Sequence, residues 1–135
     1  MFQIVVDSAA NIPAELVKKY DIRVISFVNY VNGKKVVCFD PDLTPAEERA
    51  KGREYYDAVR AGADVKTGLI SSGDFEDLFL SILEAGDDIL YFSLSKNISG
   101  TYNSARLAAE ELSENFPDRK IRLIDALNAS LAQGI

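Results

Sequence analysis

The sequence predicts an α/β fold, a three-layer sandwich with a mixed, mostly parallel sheet flanked by helices, and three observations predict it. Extended apolar runs alternate with helical patterns through most of the 135 residues, the signature of strand–helix–strand units. The run Asp88-Ile89-Leu90-Tyr91-Phe92-Ser93-Leu94 is apolar at both alternating sets of positions, which suits a central strand covered on both faces. Asn32-Gly33 lies between two β-rich runs; it is a strong hairpin signal, so the sheet should contain an antiparallel element.

The elements follow in order. Phe2 to Val6 reads as the first strand and Asp7-Ser8-Ala9-Ala10-Asn11 as the polar turn after it. Pro13 opens a helix whose inward face is Leu16, Val17 and Tyr20 and which ends at Asp21, since proline is tolerated at the first helical position. Ile22 to Val31 is one extended run, with a return strand from Lys35 to Phe39. Asp40-Pro41-Asp42-Leu43 is a turn, and Thr44-Pro45-Ala46-Glu47 has the spacing of a capping box, which starts a helix reaching about Arg60. Gly62 closes it, and residues 63–73 read as a loop. Phe75, Leu78, Phe79, Ile82 and Leu83 form a helical stripe with Ser71 and Asp74 spaced as cap and third residue and Gly86 as the stop. A further helix begins near Gly100, passes through Leu107, Ala108 and Leu112, and ends before Pro117. Lys120 to Ile124 is the last strand, and Asp125 to Gln133 begins another helical segment.

Composition narrows the functions open to such a domain. Its length suits a single core. The formal net charge is −6 with no basic cluster beyond pairs such as Lys18-Lys19 and Arg119-Lys120, so nucleic acid and anionic membrane surfaces are poor partners. Met1-Phe2-Gln3 leads straight into a strand, without the basic and apolar regions of a signal peptide or membrane span, and the expected location is cytoplasmic. There is no histidine and one cysteine, Cys38, which excludes a disulfide framework, a Cys/His zinc site and a Ser-His-Asp triad within the chain. Cys38, in the run Val36-Val37-Cys38-Phe39, is expected to be a small buried hydrophobe.

In parallel sheets ligands bind at the carboxyl ends of the strands, and the polar turns of this chain fall there. The richest is Ser95-Lys96-Asn97-Ile98-Ser99-Gly100-Thr101-Tyr102-Asn103-Ser104-Ala105. A helix start offers unpaired N–H groups and a partial positive charge to an anion. Ser99, Thr101 and Ser104 add hydroxyls, and Gly100 permits close approach; the same serine or threonine also serves as a plain cap. Asp7-Ser8, the loop from Thr67 to Ser72 and the segment Asp125 to Ser130 reach the same rim.

Neutral hydroxyls without nearby acids, bases or metal ligands suit recognition better than chemistry. No residue is assigned a catalytic role, and no cofactor or metal is called for. The alternatives are a divalent metal at Asp40 with Asp42 or Asp87 with Asp88, a nucleophilic Asp7 that lacks a companion aspartate at position 9, and a Ser99 nucleophile served by Lys66 or Lys96, which would make the protein a hydrolase or transferase.

Four spaced motifs carry a family resemblance. Val6-Asp7-Ser8-Ala9-Ala10-Asn11-Ile12-Pro13 is similar to an Asp-Ser-x-x-Asp-Leu-Pro turn, and Lys66-Thr67-Gly68-Leu69-Ile70-Ser71 to a Lys-Thr-Ser-Gln-Pro-Ser loop. Ser95 to Ala105 is similar to Ser-Ser-x-Leu-Ser-Gly-Thr-Tyr-x-Ser-Ala, and Ile124-Asp125 through Asn128-Ala129-Ser130 and Gly134 to a closing Ile-Asp-Ser-x-x-x-Ser-x-Gly-x-Gly pattern. In this order the chain resembles the N-terminal half of the DegV family of bacterial fatty-acid-binding proteins. The resemblance implies a long-chain fatty acid held between two domains and presented to a fatty-acid kinase subunit, with no chemistry done by the carrier. Its carboxylate would be held by Thr67 and Ser99, with Gly100 and Thr101 beside them, and Ser8 and Ser71 are the further candidate ligand-binding residues. The chain departs from the family at Gly68-Leu69-Ile70 and at Ala126, where serine is common, and the family's second domain, which closes the pocket, is expected to be absent. A domain without that partner would expose the floor of the tunnel, and self-association through this apolar face, or a fragment that only self-associates, is the further expectation.

Overall fold

The computed structural model describes residues 1–134. In chain order it comprises β1 (Phe2–Asp7), a 3-10 turn (Ser8–Ala10), α1 (Ala14–Lys19), β2 (Arg23–Ile25), β3 (Val28–Val31), β4 (Lys34–Val37), α2 (Pro45–Arg60), β5 (Val65–Gly68), α3 (Ser72–Glu84), β6 (Asp88–Ser93), α4 (Thr101–Asn115), β7 (Ile121–Asp125) and a 3-10 helix (Ser130–Gly134). The α/β class is as expected.

β2, β1, β6 and β7 lie side by side in that order, all parallel. The register sets Val5 beside Tyr91 and Tyr91 beside Leu123, on the face where Val5, Ile89 and Tyr91 pack against Phe75, Phe79, Ala105, Ala108 and Leu112 of α3 and α4. Val6 points to the opposite face and lines a recess with Ala10, Leu16, Ile22 and Leu131, so α1 and the last 3-10 helix cover that side. The chain winds outward from β1 to β2 and again, in the other direction, from β6 to β7. Right-handed crossovers then require the two connecting helices to lie on opposite faces. The short α1 covers only part of its face, leaving Phe2, Ile4 and Ile124 exposed.

The antiparallel element is a sheet of its own, β4-β3-β5. The expected single run from Ile22 to Val31 breaks at Ser26-Phe27 because both residues are tied elsewhere. The Ser26 hydroxyl accepts from Cys38 N and Phe39 N, each at 3.1 Å, and Phe27 N donates to the Ser8 hydroxyl at 2.9 Å. The chain thereby turns out of one sheet into the other. The supposed loop at 63–73 contains β5, which pairs Thr67 with Asn29. Cys38 is exposed rather than buried, because it follows the edge strand β4, whose residues are all exposed. Enough protein surrounds the thiol for desolvation to raise its pKa, against a weaker lowering by a backbone hydrogen bond at Asn29.

The helix signals act as their chemistry requires. Thr44 and Glu47 form a reciprocal capping box on α2, as Ser71 and Asp74 do on α3. At the end of α3, Gly86 has φ +90°, and the amides of Gly86 and Asp87 donate to the carbonyls of Leu83 and Ile82, a Schellman motif that suits glycine. Ser71→Ala is expected to cost about 1 kcal/mol of stability, measurable as a shift of the denaturant midpoint. A loss below about 0.3 kcal/mol, within the few tenths by which a glycine cap differs from serine, would show that the box contributes nothing.

The segment Asp125 to Gln133 does not become an α-helix. Leu127 and Ser130 adopt φ +56° and +58°, a left-handed conformation that interrupts helical continuation, and only a 3-10 helix forms beyond them.

Candidate functional site

β1 and β6 are neighbours from which the chain winds in opposite directions, and their carboxyl ends form the crevice where such sheets bind ligands. The turn after β6 is pinned from below and from the side. Leu94 N donates to Asp7 Oδ2 at 2.7 Å, Ser95 N to the Asn128 carbonyl at 3.1 Å, and Lys96 N to Asp125 Oδ1 at 3.2 Å. Within the turn the Ser95 carbonyl accepts from Ile98 N and Ser99 N, and the Ser95 hydroxyl accepts from Asn97 N.

Pinned this way, the turn delivers Ser99 to the start of α4. The Ser99 hydroxyl accepts from Thr101 N at 3.2 Å and lies 2.9 Å from the Thr101 hydroxyl. It thus satisfies one of the helix's unpaired donors while remaining partly exposed. Thr101 is fully buried, so its hydroxyl acts at the surface only through Ser99. Gly100 is exposed and lies against Leu69; a Cβ there would sit 3.7 Å from Leu69 Cδ1. Because Ile70 is buried and Leu69 is 64% exposed, the loop after β5 is anchored in the core while its outer side chain covers the helix start. Thr67, two residues earlier, is exposed. The structure therefore brings Leu69, two residues beyond Thr67, against the start of the Ser99–Thr101 turn.

Ser8 and Ser71 have engaged hydroxyls. Ser8 accepts from Phe27 N, and Ser71 donates to Asp74 Oδ2 at 2.6 Å within its capping box. Each serves its own turn: Ser8 ties the turn after β1 to Phe27, and Ser71 caps α3.

The groups of the catalytic alternatives are committed elsewhere. Asp7 is fully buried, and its carboxylate accepts from Ala9 N, Gln133 Nε2, Tyr91 OH and Leu94 N, leaving no free edge for nucleophilic attack. Burial and the adjacent Asp7 charge push the Tyr91 phenol well above its ordinary pKa, which keeps it a donor. Lys66 and Lys96 lie 3.4 and 3.8 Å from Asp64 and Asp125. Asp40 and Asp42 share a turn hydrogen bond and face Lys51 and Lys18, while Asp87 and Asp88 meet the N-terminus and Lys120 N. Among the described residues no three acids or cysteines are grouped as a metal site, and no helix is long and apolar enough to cross a membrane.

The antiparallel sheet adds an apolar recess. The register aligns Thr67, Asn29 and Val36 on one face. A groove of about 560 Å³ runs between the edge strand β4 and α2, its apolar wall made by Val31, Val36, Val37, Phe39, Tyr55 and Ala58 and its rim by the charged Lys35, Asp40, Lys51 and Glu54, within the range of small-molecule pockets. The sequence pattern did not reveal it, because it is built by the four-residue edge strand β4 and the distant helix α2.

A family model for uncharacterised proteins of the DegV family matches residues 1–135. The chain is 36% identical over 135 residues to a DegV domain-containing protein of Clostridium perfringens, covering 99% of this chain and 44% of that protein. It is 36% identical over 131 residues to a Thermotoga maritima protein named fatty acid-binding protein, covering 95% of this chain and 41% of the other. It superposes on a stearic acid-binding protein from Eubacterium ventriosum with a TM-score of 0.80 at 29% identity, over 98% of this chain and 44% of that one. The chain therefore spans less than half the length of these relatives. With the doubly wound sheet, the pinned hydroxyl turn and a match along the whole sequence, this chain belongs to the DegV family.

Proposed function

We propose that this domain holds a long-chain fatty acid, with its carboxylate at Ser99, Gly100 and Thr101 and with Thr67 reaching in from the facing loop. Ser8 and Ser71 shape the flanking turns. The observation that carries this reading is the contact of Leu69 with Gly100, which joins two hydroxyl-bearing segments at a helix start, where an anion is favoured. The names of relatives that bind fatty acids support the ligand class.

The energetics divide the work between tail and head. Burying about sixteen carbons contributes on the order of 10 kcal/mol gross at about 0.8 per methylene, while each hydrogen bond to the carboxylate nets about 1.5–3 kcal/mol. The tail sets affinity and the hydroxyls set orientation. The groove between β4 and α2, with its apolar wall, supports a site for the tail.

The role is carriage rather than catalysis, since Asp7, Lys66 and Lys96 all have partners of their own. As the family resemblance implies, the bound acid is presented to a fatty-acid kinase subunit in the cytoplasm. The partly uncovered sheet face bearing Phe2, Ile4 and Ile124 suits self-association.

To test the ligand, the protein expressed from its complete reading frame is extracted with organic solvent and analysed by mass spectrometry, then titrated with palmitate and methyl palmitate. Long-chain carboxylates in the extract and a preference for the acid are expected. Protein free of any acyl carboxylate and unable to take up palmitate would overturn the proposal.

A further inference from the structure

Asp7 is the most connected buried side chain near the crevice, and its partners come from four separate places. Oδ1 accepts from Ala9 N at 3.1 Å, in the turn after β1, and from Gln133 Nε2 at 3.2 Å, in the last 3-10 helix. Oδ2 accepts from Tyr91 OH at 2.9 Å, in β6, and from Leu94 N at 2.7 Å, where the chain leaves β6. The side chain is fully buried. Leu94 is followed directly by Ser95, whose carbonyl accepts from Ser99 N at 3.2 Å, and the Ser99 hydroxyl accepts from Thr101 N. A continuous path leads from the Asp7 carboxylate to the hydroxyl pair: the hydrogen bond from Leu94 N, the backbone to the Ser95 carbonyl, the hydrogen bond from Ser99 N, and Ser99 itself.

We propose that Asp7 is a positioning residue for the carboxylate-binding turn: it fixes where β6 ends and so where Ser99 presents its hydroxyl. This rests on the fatty-acid reading above. An ionised carboxylate can accept at both oxygens, and all four hydrogen bonds here are donated to it. Asparagine has the same shape but turns one acceptor into a donor. Asp7→Asn therefore sets an NH2 group against either Leu94 N and Tyr91 OH or Ala9 N and Gln133 Nε2, and the turn must move to relieve it.

The test uses protein from the complete reading frame with cis-parinaric acid and its methyl ester as fluorescent probes, plus amide hydrogen exchange without ligand. Asp7→Asn is expected to lower the affinity for the acid about tenfold and leave the ester unchanged, because the tail site is intact. Exchange should speed up at Leu94 to Thr101 and not in α3. Acid and ester affinities falling in parallel would reduce Asp7 to a general stabiliser and overturn the proposal, as would an unchanged acid affinity. Should Asp7→Asn not fold, Tyr91→Phe removes one donor with little change in volume. A two- to threefold loss confined to the acid is then expected, and an equal loss for both probes overturns the role. A wild type that does not prefer the acid sinks the fatty-acid reading instead, and the exchange pattern in Asp7→Asn then decides the positioning role alone.

Discussion

Phe79→Ala is expected to destabilise the domain by about 3–5 kcal/mol, the cost typical of truncating a buried phenylalanine. Phe79 is fully buried, with its ring centroid 5.5 Å from that of Phe75 and 6.2 Å from that of Tyr91, and the Phe75 and Tyr91 centroids are 5.2 Å apart. This aromatic cluster fastens α3 to the central strand β6. Its loss removes apolar burial and leaves a cavity between elements that cannot close without moving a helix. Domains of this size have a total stability of about 5–15 kcal/mol, so the variant would be marginal at 37 °C. Urea unfolding with an unchanged slope measures the effect. Tyr56→Ala is the control, since that side chain is 60% exposed and surface changes stay within about 0.5 kcal/mol. A loss below about 1 kcal/mol for Phe79→Ala would mean that the cluster is not the core.

The same helix shows how far the sequence could be read. Every signal on α3 was local: the box at Ser71 and Asp74, the stripe from Phe75 to Leu83, and the stop at Gly86 all lie within one segment and agree with one another. Asn32-Gly33 was local too, and both residues adopt the positive φ that the tight turn needs. What escaped depended on partners distant in sequence. Nothing within Ile22–Val31 says that the Ser26 hydroxyl will bind the amides of Cys38 and Phe39, so the pattern reads as one run where two sheets meet. β5 is four residues long and ends in glycine, too short for alternation to be visible. Cys38 sits in an apolar run, but that run lies at a sheet edge, where pattern alone does not determine burial.

The site divides in the same way. The hydroxyls of Ser95 to Ser104 are adjacent in the sequence and read as an anion site, whereas the carboxylate of Asp7 reads as part of a rim turn or a nucleophile, not as the buried support beneath them. Tyr91 and Gln133 lie 84 and 126 residues from Asp7, and neither announces a polar partner. Tyr91 looks like one more apolar member of a strand. The one visible signal is an aspartate directly after the apolar run Ile4-Val5-Val6 of the first strand, where a charge is costly unless it is fully hydrogen-bonded.

Ser99→Ala is expected to weaken fatty-acid binding by about ten- to a hundredfold while costing about 1 kcal/mol of stability. The stability cost is that of a helix cap, because the hydroxyl's bonds here go to Thr101 N and the Thr101 hydroxyl. Ser99 is partly exposed, so water replaces much of what is lost at Thr101 N. The binding cost is larger because a hydrogen bond to an ionised carboxylate contributes about 1.5–3 kcal/mol, and each 1.4 kcal/mol is tenfold in affinity. Thr101 cannot substitute: its side chain is fully buried and its hydroxyl meets the crevice through Ser99. The two costs separate cleanly when binding of palmitate and methyl palmitate is measured beside thermal unfolding. Loss for the acid alone, with a small shift in unfolding temperature, identifies Ser99 as the head-group donor. Equal losses in binding of acid and ester that track the drop in stability would return Ser99 to the role of a helix cap and remove the carboxylate from this turn.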